Sequence, residues 1–312
     1  MNLPQTVREP GGERIVHANG VELCVQTFGE RGDPAILLLG GASSSMEWWE
    51  EEFCLSLAGG GRFVIRYDHR DTGRSTSYEP GSPLYGFEDL AADAVGLLDC
   101  LGVERVHLVG ISMGGGIGQR LALDHGPRVA SLTLISTSPG LRPGAPPGFE
   151  LPPPSAALRA HFAAPAAAPD WTDRAAVIDS IVAGRQLFAG STGSTGSEQA
   201  RFRQLAARVV DRTTDIAASM TNHWMIDPGA PYGSRLGQIT AATLVIHGTE
   251  DPLFPYEHAE ASAREIAGAQ LLALDGVGHQ MPPARTWEVV IPALLRHTGG
   301  SRDAQSRPAA AE

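Results

Sequence analysis

Three residues in this sequence have the types and settings for nucleophilic attack driven by a shared proton. Ser112 lies in "VHLVGISMGGGIGQR", inside Gly110-Ile111-Ser112-Met113-Gly114, the only G-x-S-x-G of the chain. With 37 glycines among 312 residues the pattern also arises by chance, as an idle serine in a glycine-rich turn, so its surroundings must decide. A serine hydroxyl is too weak an acid to attack a carbonyl unaided; it needs a base, and the base needs a carboxylate to orient it. The candidate base is His279 in "ALDGVGHQMPP", where flanking glycines leave it free to lean over a site. The candidate carboxylate is Asp251 in "LVIHGTEDPLFP", although Asp-Pro also serves as an ordinary turn or cap. Glu250 is its fallback, and the other strand end on offer, "LISTSPG", holds no carboxylate. His107 and His247 fall within strand patterns and read as satisfied core residues; the remaining histidines have no comparable placement.

The elements that must position these residues are legible in the hydrophobic spacing. "ERIVHA" and "VELCVQTFG" alternate and predict a hairpin turned at Asn19-Gly20. "AILLLGG" is a continuous apolar run suited to a strand buried on both faces. "RFVIRYDHR", "RVHLVGIS", "ASLTLIST", "AATLVIHG" and "AQLLALDG" read as further strands. Helical spacing marks "GFEDLAADAVGLLDCLG", ending at Gly102, and also "GGGIGQRLALDHG", "PYEHAEASAREIAG" and "ARTWEVVIPALLRHTG". Strand and helix alternate, which predicts an α/β protein with a mostly parallel sheet covered by helices. Ser112 would stand where a buried strand gives way to a helix. That turn presents its oxygen, together with the N–H of Met113, at the positive end of the helix dipole.

Between roughly Pro139 and Leu236 the composition changes. Prolines crowd "SPGLRPGAPPGFELPPP", and helical stretches follow on either side of a flexible "AGSTGSTGS". The expected organisation is a core of residues 1–138 and 237–298, a helical cap inserted at 139–236, and a disordered tail at 299–312.

Composition removes several chemistries. All 24 basic residues are arginine, so no P-loop lysine, Schiff-base lysine or Ser-Lys dyad exists. The glycines after Ser112 miss the G-x-G-x-x-G register, and no H-E-x-x-H or close histidine pair supports a metal site. A formal charge of −11 argues against nucleic acid or an anionic membrane as partner. No apolar run approaches the roughly 20 residues of a membrane span, and the N-terminus lacks a secretory pattern. Three widely spaced cysteines read as buried, reduced thiols, and the expected location is the cytoplasm.

The order Ser112, Asp251, His279 fits the nucleophile, acid, base order of the α/β-hydrolase fold, and residues 13 to 298 resemble that superfamily. "FVIRYDHRDTGRS" with "YGFEDLAADAVGLLDCLGVERVHLVGISMGG" is more specific and resembles aclacinomycin methylesterase-type carboxylesterases, which remove a methyl ester from a glycosylated anthracycline. The resemblance implies an eight-stranded, mostly parallel sheet with an inserted cap, and a serine carboxylesterase acting on a small-molecule ester without cofactor or metal. It also implies that the loop "LLLGGASSS" supplies a second oxyanion donor, by position the N–H of Ala42 beside that of Met113. Trp48, Trp49, Phe254 and Met281 are candidates for the substrate pocket, or for core packing. A serine at the elbow sets the chain apart from the dehalogenases and epoxide hydrolases of that fold, which use aspartate there. Amide, carbon–carbon bond and perhydrolase chemistry share the same triad and stay open, as does a non-catalytic receptor.

Overall fold

Asn19 and Gly20 carry φ of 48° and 78°, the mirror-image turn whose twist matches that of paired strands. They fold β1 (Arg14–Ala18) onto β2 (Val21–Phe28) in antiparallel register. This computed structural model describes residues 11–140, 150–164, 167–191 and 196–299. Residues 300–312 of the expected tail, 141–149 of the proline-rich stretch and 192–195 of "AGSTGSTGS" lie outside the described residues.

Six more strands complete one sheet: β3 (Ala35–Leu39), β4 (Phe63–Tyr67), β5 (Val106–Ile111), β6 (Val129–Ile135), β7 (Ala242–Gly248) and β8 (Gln270–Leu274). Their order is β1-β2-β4-β3-β5-β6-β7-β8. From β4 to β8 every pairing is parallel, and β2 meets β4 antiparallel. This is the mostly parallel α/β sheet that the alternating pattern predicts. The helices that cover it are α1 (Glu51–Gly59), α2 (Phe87–Leu101), α3 (Met113–Asp124), and, further along the chain, α8 (Glu257–Glu265) and α9 (Trp287–His297).

Successive residues of a strand point to opposite faces, which explains the unbroken "AILLL" of β3. Leu37 and Leu39 pack with Leu90, Leu97, Ile117 and Leu121 of α2 and α3. Ile36 and Leu38 pack on the other face with Phe53 and Leu57 of α1 and with Val290 and Leu294 of α9. Helix α1 was not read in the sequence; its acidic start hides a short apolar face of Phe53, Cys54 and Leu57.

Between β6 and β7 the chain forms α4 (Ala156–Ala163), α5 (Arg174–Phe188), α6 (Gly196–Arg212) and α7 (Ile216–Thr221). Val177, Ile178, Ile181 and Ala206 make a small cluster of their own between α5 and α6. Asp173 and Asp215 cap α5 and α7 by accepting backbone N–H bonds at the helix starts.

The close passage of α3 beneath β5 admits only glycine at two points. A Cβ on Gly110 would lie 2.2 Å from the Gly114 carbonyl oxygen, and one on Gly114 would lie 2.3 Å from that of Leu39. Gly110→Ala should therefore cost about 3 kcal/mol of stability, since backbone and not a flexible side chain must yield. Gly59→Ala, with nothing within 4 Å of its Cβ, is expected to be neutral or stabilising. Urea unfolding of both variants checks this; a wild-type midpoint for Gly110→Ala would contradict it.

Candidate active site

The elbow at Ser112 is built by backbone strain. Ser112 has φ 52° and ψ −118°, outside the regions that residues bearing a Cβ favour. Its N–H donates to the Ile135 carbonyl at 3.0 Å, and its own carbonyl accepts from Gly116 N–H at 3.1 Å and from Thr137 Oγ1 at 2.8 Å. Those bonds fix the residue between β5 and the first turn of α3, where the helix dipole favours negative charge.

The other two candidates meet it. His279 Nε2 lies 3.1 Å from Ser112 Oγ, and His279 Nδ1 lies 2.8 Å from Asp251 Oδ2. Because a carboxylate only accepts, Nδ1 carries the ring proton and Nε2 is left to accept from the serine hydroxyl. Asp251 is buried, and its Oδ1 accepts the N–H groups of Leu253 and Phe254 at 2.9 and 2.8 Å. Burial by itself raises a carboxyl pKa. Here the hydrogen bonds of His247 and His279 overcome it and hold Asp251 well below the usual carboxylate range. Glu250 turns away and accepts from the N–H and hydroxyl of Ser191.

His247 corrects the reading of it as a satisfied core residue. Its Nε2 donates to the Phe254 carbonyl at 2.8 Å and lies 3.3 Å from Asp251 Oδ2, while Nδ1 has no partner among the described residues. The i, i+4 spacing from Asp251 was visible in the sequence, but the strand end between them hides the contact.

The loop after β3 closes on the elbow from the other side. A Cβ on Gly41 would sit 3.5 Å from that of Ser112, so the loop passes close beside the serine. The amides of Ala42 and Met113 have no acceptor among the described residues. Two histidines hold this loop. His69 Nε2 donates to the Gly40 carbonyl at 3.2 Å. His223 Nδ1 accepts from Ser43 N–H at 2.9 Å while its Nε2 donates to the Arg70 carbonyl at 2.9 Å. Trp224 Nε1 adds a bond to Ser43 Oγ at 3.1 Å. Neither histidine carried a signal in the sequence, because their partners lie about 30 and 180 residues away.

A cavity of about 320 Å³ opens above Ser112, within the range of small-molecule sites. Trp48 and Met281 line it, with Ile181, Phe188, Phe202 and Leu253. Two pocket candidates fall elsewhere. Trp49 is buried beneath the sheet against Phe53, because neighbouring residues of one turn point opposite ways. Phe254 stands edge-on to the His279 ring at 5.4 Å, and Leu253 takes the lining position. Among the described residues no cluster of His, Cys, Asp or Glu fits a metal ion, and no helix is long and apolar enough to cross a membrane.

Comparison with known proteins agrees with this architecture. The family model described as alpha/beta hydrolase fold matches residues 34–282. Rhodomycin D methylesterase DauP of Streptomyces sp. strain C5 is 33% identical over 295 residues, covering 91% of this chain and 97% of that protein. Rhodomycin D methylesterase DnrP of Streptomyces peucetius is 32% identical with the same coverage. Among solved structures, a hydrolase from Pseudomonas aeruginosa superposes with a TM-score of 0.67 at 25% identity, covering 93% of this chain and 99% of that one.

Burial lowers His69 to about 3, with the neighbouring His223 as a further cause, and it lowers His223 and His107 to about 4. A histidine whose folded pKa lies below its unfolded value of about 6.5 takes up its proton more readily when unfolded. The stability each contributes is complete above pH 6.5 and declines as the pH falls toward 4, by up to about 1.4 kcal/mol per unit for each. Urea unfolding between pH 7 and 5 should show this loss, and His107→Gln should make it shallower. Flat stability across that window would contradict it.

Proposed function

This chain belongs to the alpha/beta hydrolase fold family and is a carboxylic ester hydrolase, and we propose that Ser112 is its nucleophile, His279 its general base and Asp251 the carboxylate that orients the base. The observation that carries this reading is the continuous bond from Ser112 Oγ through His279 to Asp251. His279 Nε2 takes the hydroxyl proton as Ser112 Oγ attacks the ester carbonyl, and the imidazolium formed is stabilised by the buried Asp251. The oxyanion of the tetrahedral intermediate accepts from the N–H groups of Ala42 and Met113, each such donor contributing about 3 kcal/mol. His279 returns the proton to the departing alcohol, leaving an acyl-enzyme. Water then attacks with the same base and releases the acid.

Helices α4 to α7, with the chain joining them, act in this reading as a cap over residues 139–236 that selects the substrate. Two contacts support it: α5 ends at Phe188, whose carbonyl accepts from His279 N–H at 2.8 Å, and Trp224 reaches Ser43 beside Ala42. The substrate is a small-molecule ester, in our reading the methyl ester of a bulky aromatic acid. The names of the two methylesterase relatives and the aromatic lining by Trp48, Phe188 and Phe202 support that choice. Cys24 and Cys54 are buried as expected, but Cys100 is exposed; all three are unpaired, which favours action in the reducing cytoplasm.

Ser112→Ala should abolish hydrolysis of p-nitrophenyl butyrate while keeping the wild-type unfolding curve. His279→Ala should lose on the order of 10⁴-fold in kcat, and Asp251→Asn somewhat less. Steady-state kinetics on the folded variants decides. A folded Ser112→Ala enzyme retaining more than a few per cent of activity would remove the serine from its role. A large loss in Glu250→Gln with a normal Asp251→Asn would move the acid by one residue. Methanol release from a methyl ester of a fused-ring aromatic acid tests the substrate class.

A further inference from the structure

The lining of the cavity is apolar apart from the reacting groups and a few others, of which two are charged: Glu50, which Arg201 neutralises, and Arg185. Helix α5 presents Ile181, Gly184, Arg185 and Phe188 to it, one face of the helix at spacings of three and four. The Arg185 guanidinium lies 4.0 Å above the Phe202 ring, and Phe202 in turn packs against Trp48 at 5.2 Å. Stacking satisfies the face of the guanidinium but leaves its edge N–H donors without a partner. The two carboxylates whose charge acts on it are already engaged: Glu50 bonds Arg201 at 2.7 Å and Glu198 bonds Arg285 at 2.9 Å. Arg185 itself has no hydrogen bond or ion pair among the described residues. Burial lowers its pKa below the usual arginine value, outweighing the pull of the Glu198 and Glu50 carboxylates, neither of which it bonds.

A half-buried, stacked arginine with idle donors in the same cavity as Ser112 suits an oxyanion. We propose that Arg185 binds an anionic oxygen on the acyl part of the substrate, a carboxylate or an ionised phenol remote from the scissile ester. The inference rests on the esterase reading above and sharpens it. A methyl ester carries nearly all its bulk on the acyl side, so the group filling the cavity is the acyl part, and it is this part that meets Arg185. The bond is charge-assisted and accepts a planar, two-oxygen group across the guanidinium fork.

Paired p-nitrophenyl esters test this. One pair has an acyl chain ending in a carboxylate or in the isosteric methyl amide. The second ends in a dihalogenated, ionised phenol or in its methyl ether. The wild-type enzyme should favour the anionic member of at least one pair in kcat/KM by about tenfold or more. Arg185→Gln should collapse that ratio toward one, and Arg185→Lys should restore part of it. Which pair responds identifies the source of the anion. Equal kcat/KM for both members of both pairs in the wild type, or a ratio that survives in Arg185→Gln, overturns the proposal. Loss of hydrolysis for every ester in the folded wild type would instead overturn the esterase reading.

Discussion

The turn from β5 into α3 carries Ser112 through φ 52° and ψ −118°, and that conformation persists only because its surroundings over-determine it. Backbone bonds from Ile135 and Gly116 and the Thr137 hydroxyl hold it, while Gly110 and Gly114 let strand and helix touch. Strain of this kind costs about 1–3 kcal/mol, offset by the burial of β5 between two apolar layers. The consequence is positional. The hydroxyl, the Met113 amide and the helix terminus all face the same point in space, and the other loops need only reach it.

They reach it through the helical segment between β6 and β7 as much as through the sheet. His223, just after α7, accepts from Ser43 in the loop beside Ser112, and Phe188 at the end of α5 accepts from the His279 amide. A third tie is the buried pair of Arg212 on α6 and Asp68 after β4, at 2.7 Å. Asn222 donates to Asp71, which also accepts from Tyr85. Glycine makes the closest of these contacts possible: a Cβ on Gly278 would lie 2.2 Å from the Phe188 carbonyl oxygen. The segment that shapes the cavity therefore also positions His279 and the loop at Gly40–Ser43, so the cavity wall and the geometry around Ser112 are mechanically coupled.

Charge is distributed in a matching way. With arginine as the sole basic side chain, buried carboxylates find planar, forked partners, as Asp93 does in Arg70 at 2.7 Å through two bonds. Asp71, held by Tyr85 and Asn222, and Asp251 have no arginine partner among the described residues. The partners of Asp251 are backbone amides and two histidines, and they keep it negatively charged.

The sequence by itself determined the parallel α/β sheet, the hairpin at Asn19-Gly20, the elbow, and the choice of Asp251 and His279. Each of these is written in local spacing or in an element's end, and such signals act over a few residues. Only the tertiary structure decided the rest. It set Trp48 against the cavity and Trp49 beneath the sheet, put Leu253 and not Phe254 in the lining, and brought His247 to Asp251. It also brought His69 and His223 to the loop at Gly40–Ser43 and turned Arg185 inward on α5. Those relations join residues far apart in the chain or separate neighbours by the direction of a single side chain. Neither leaves a periodicity to read, because packing between elements fixes them after the elements themselves have formed.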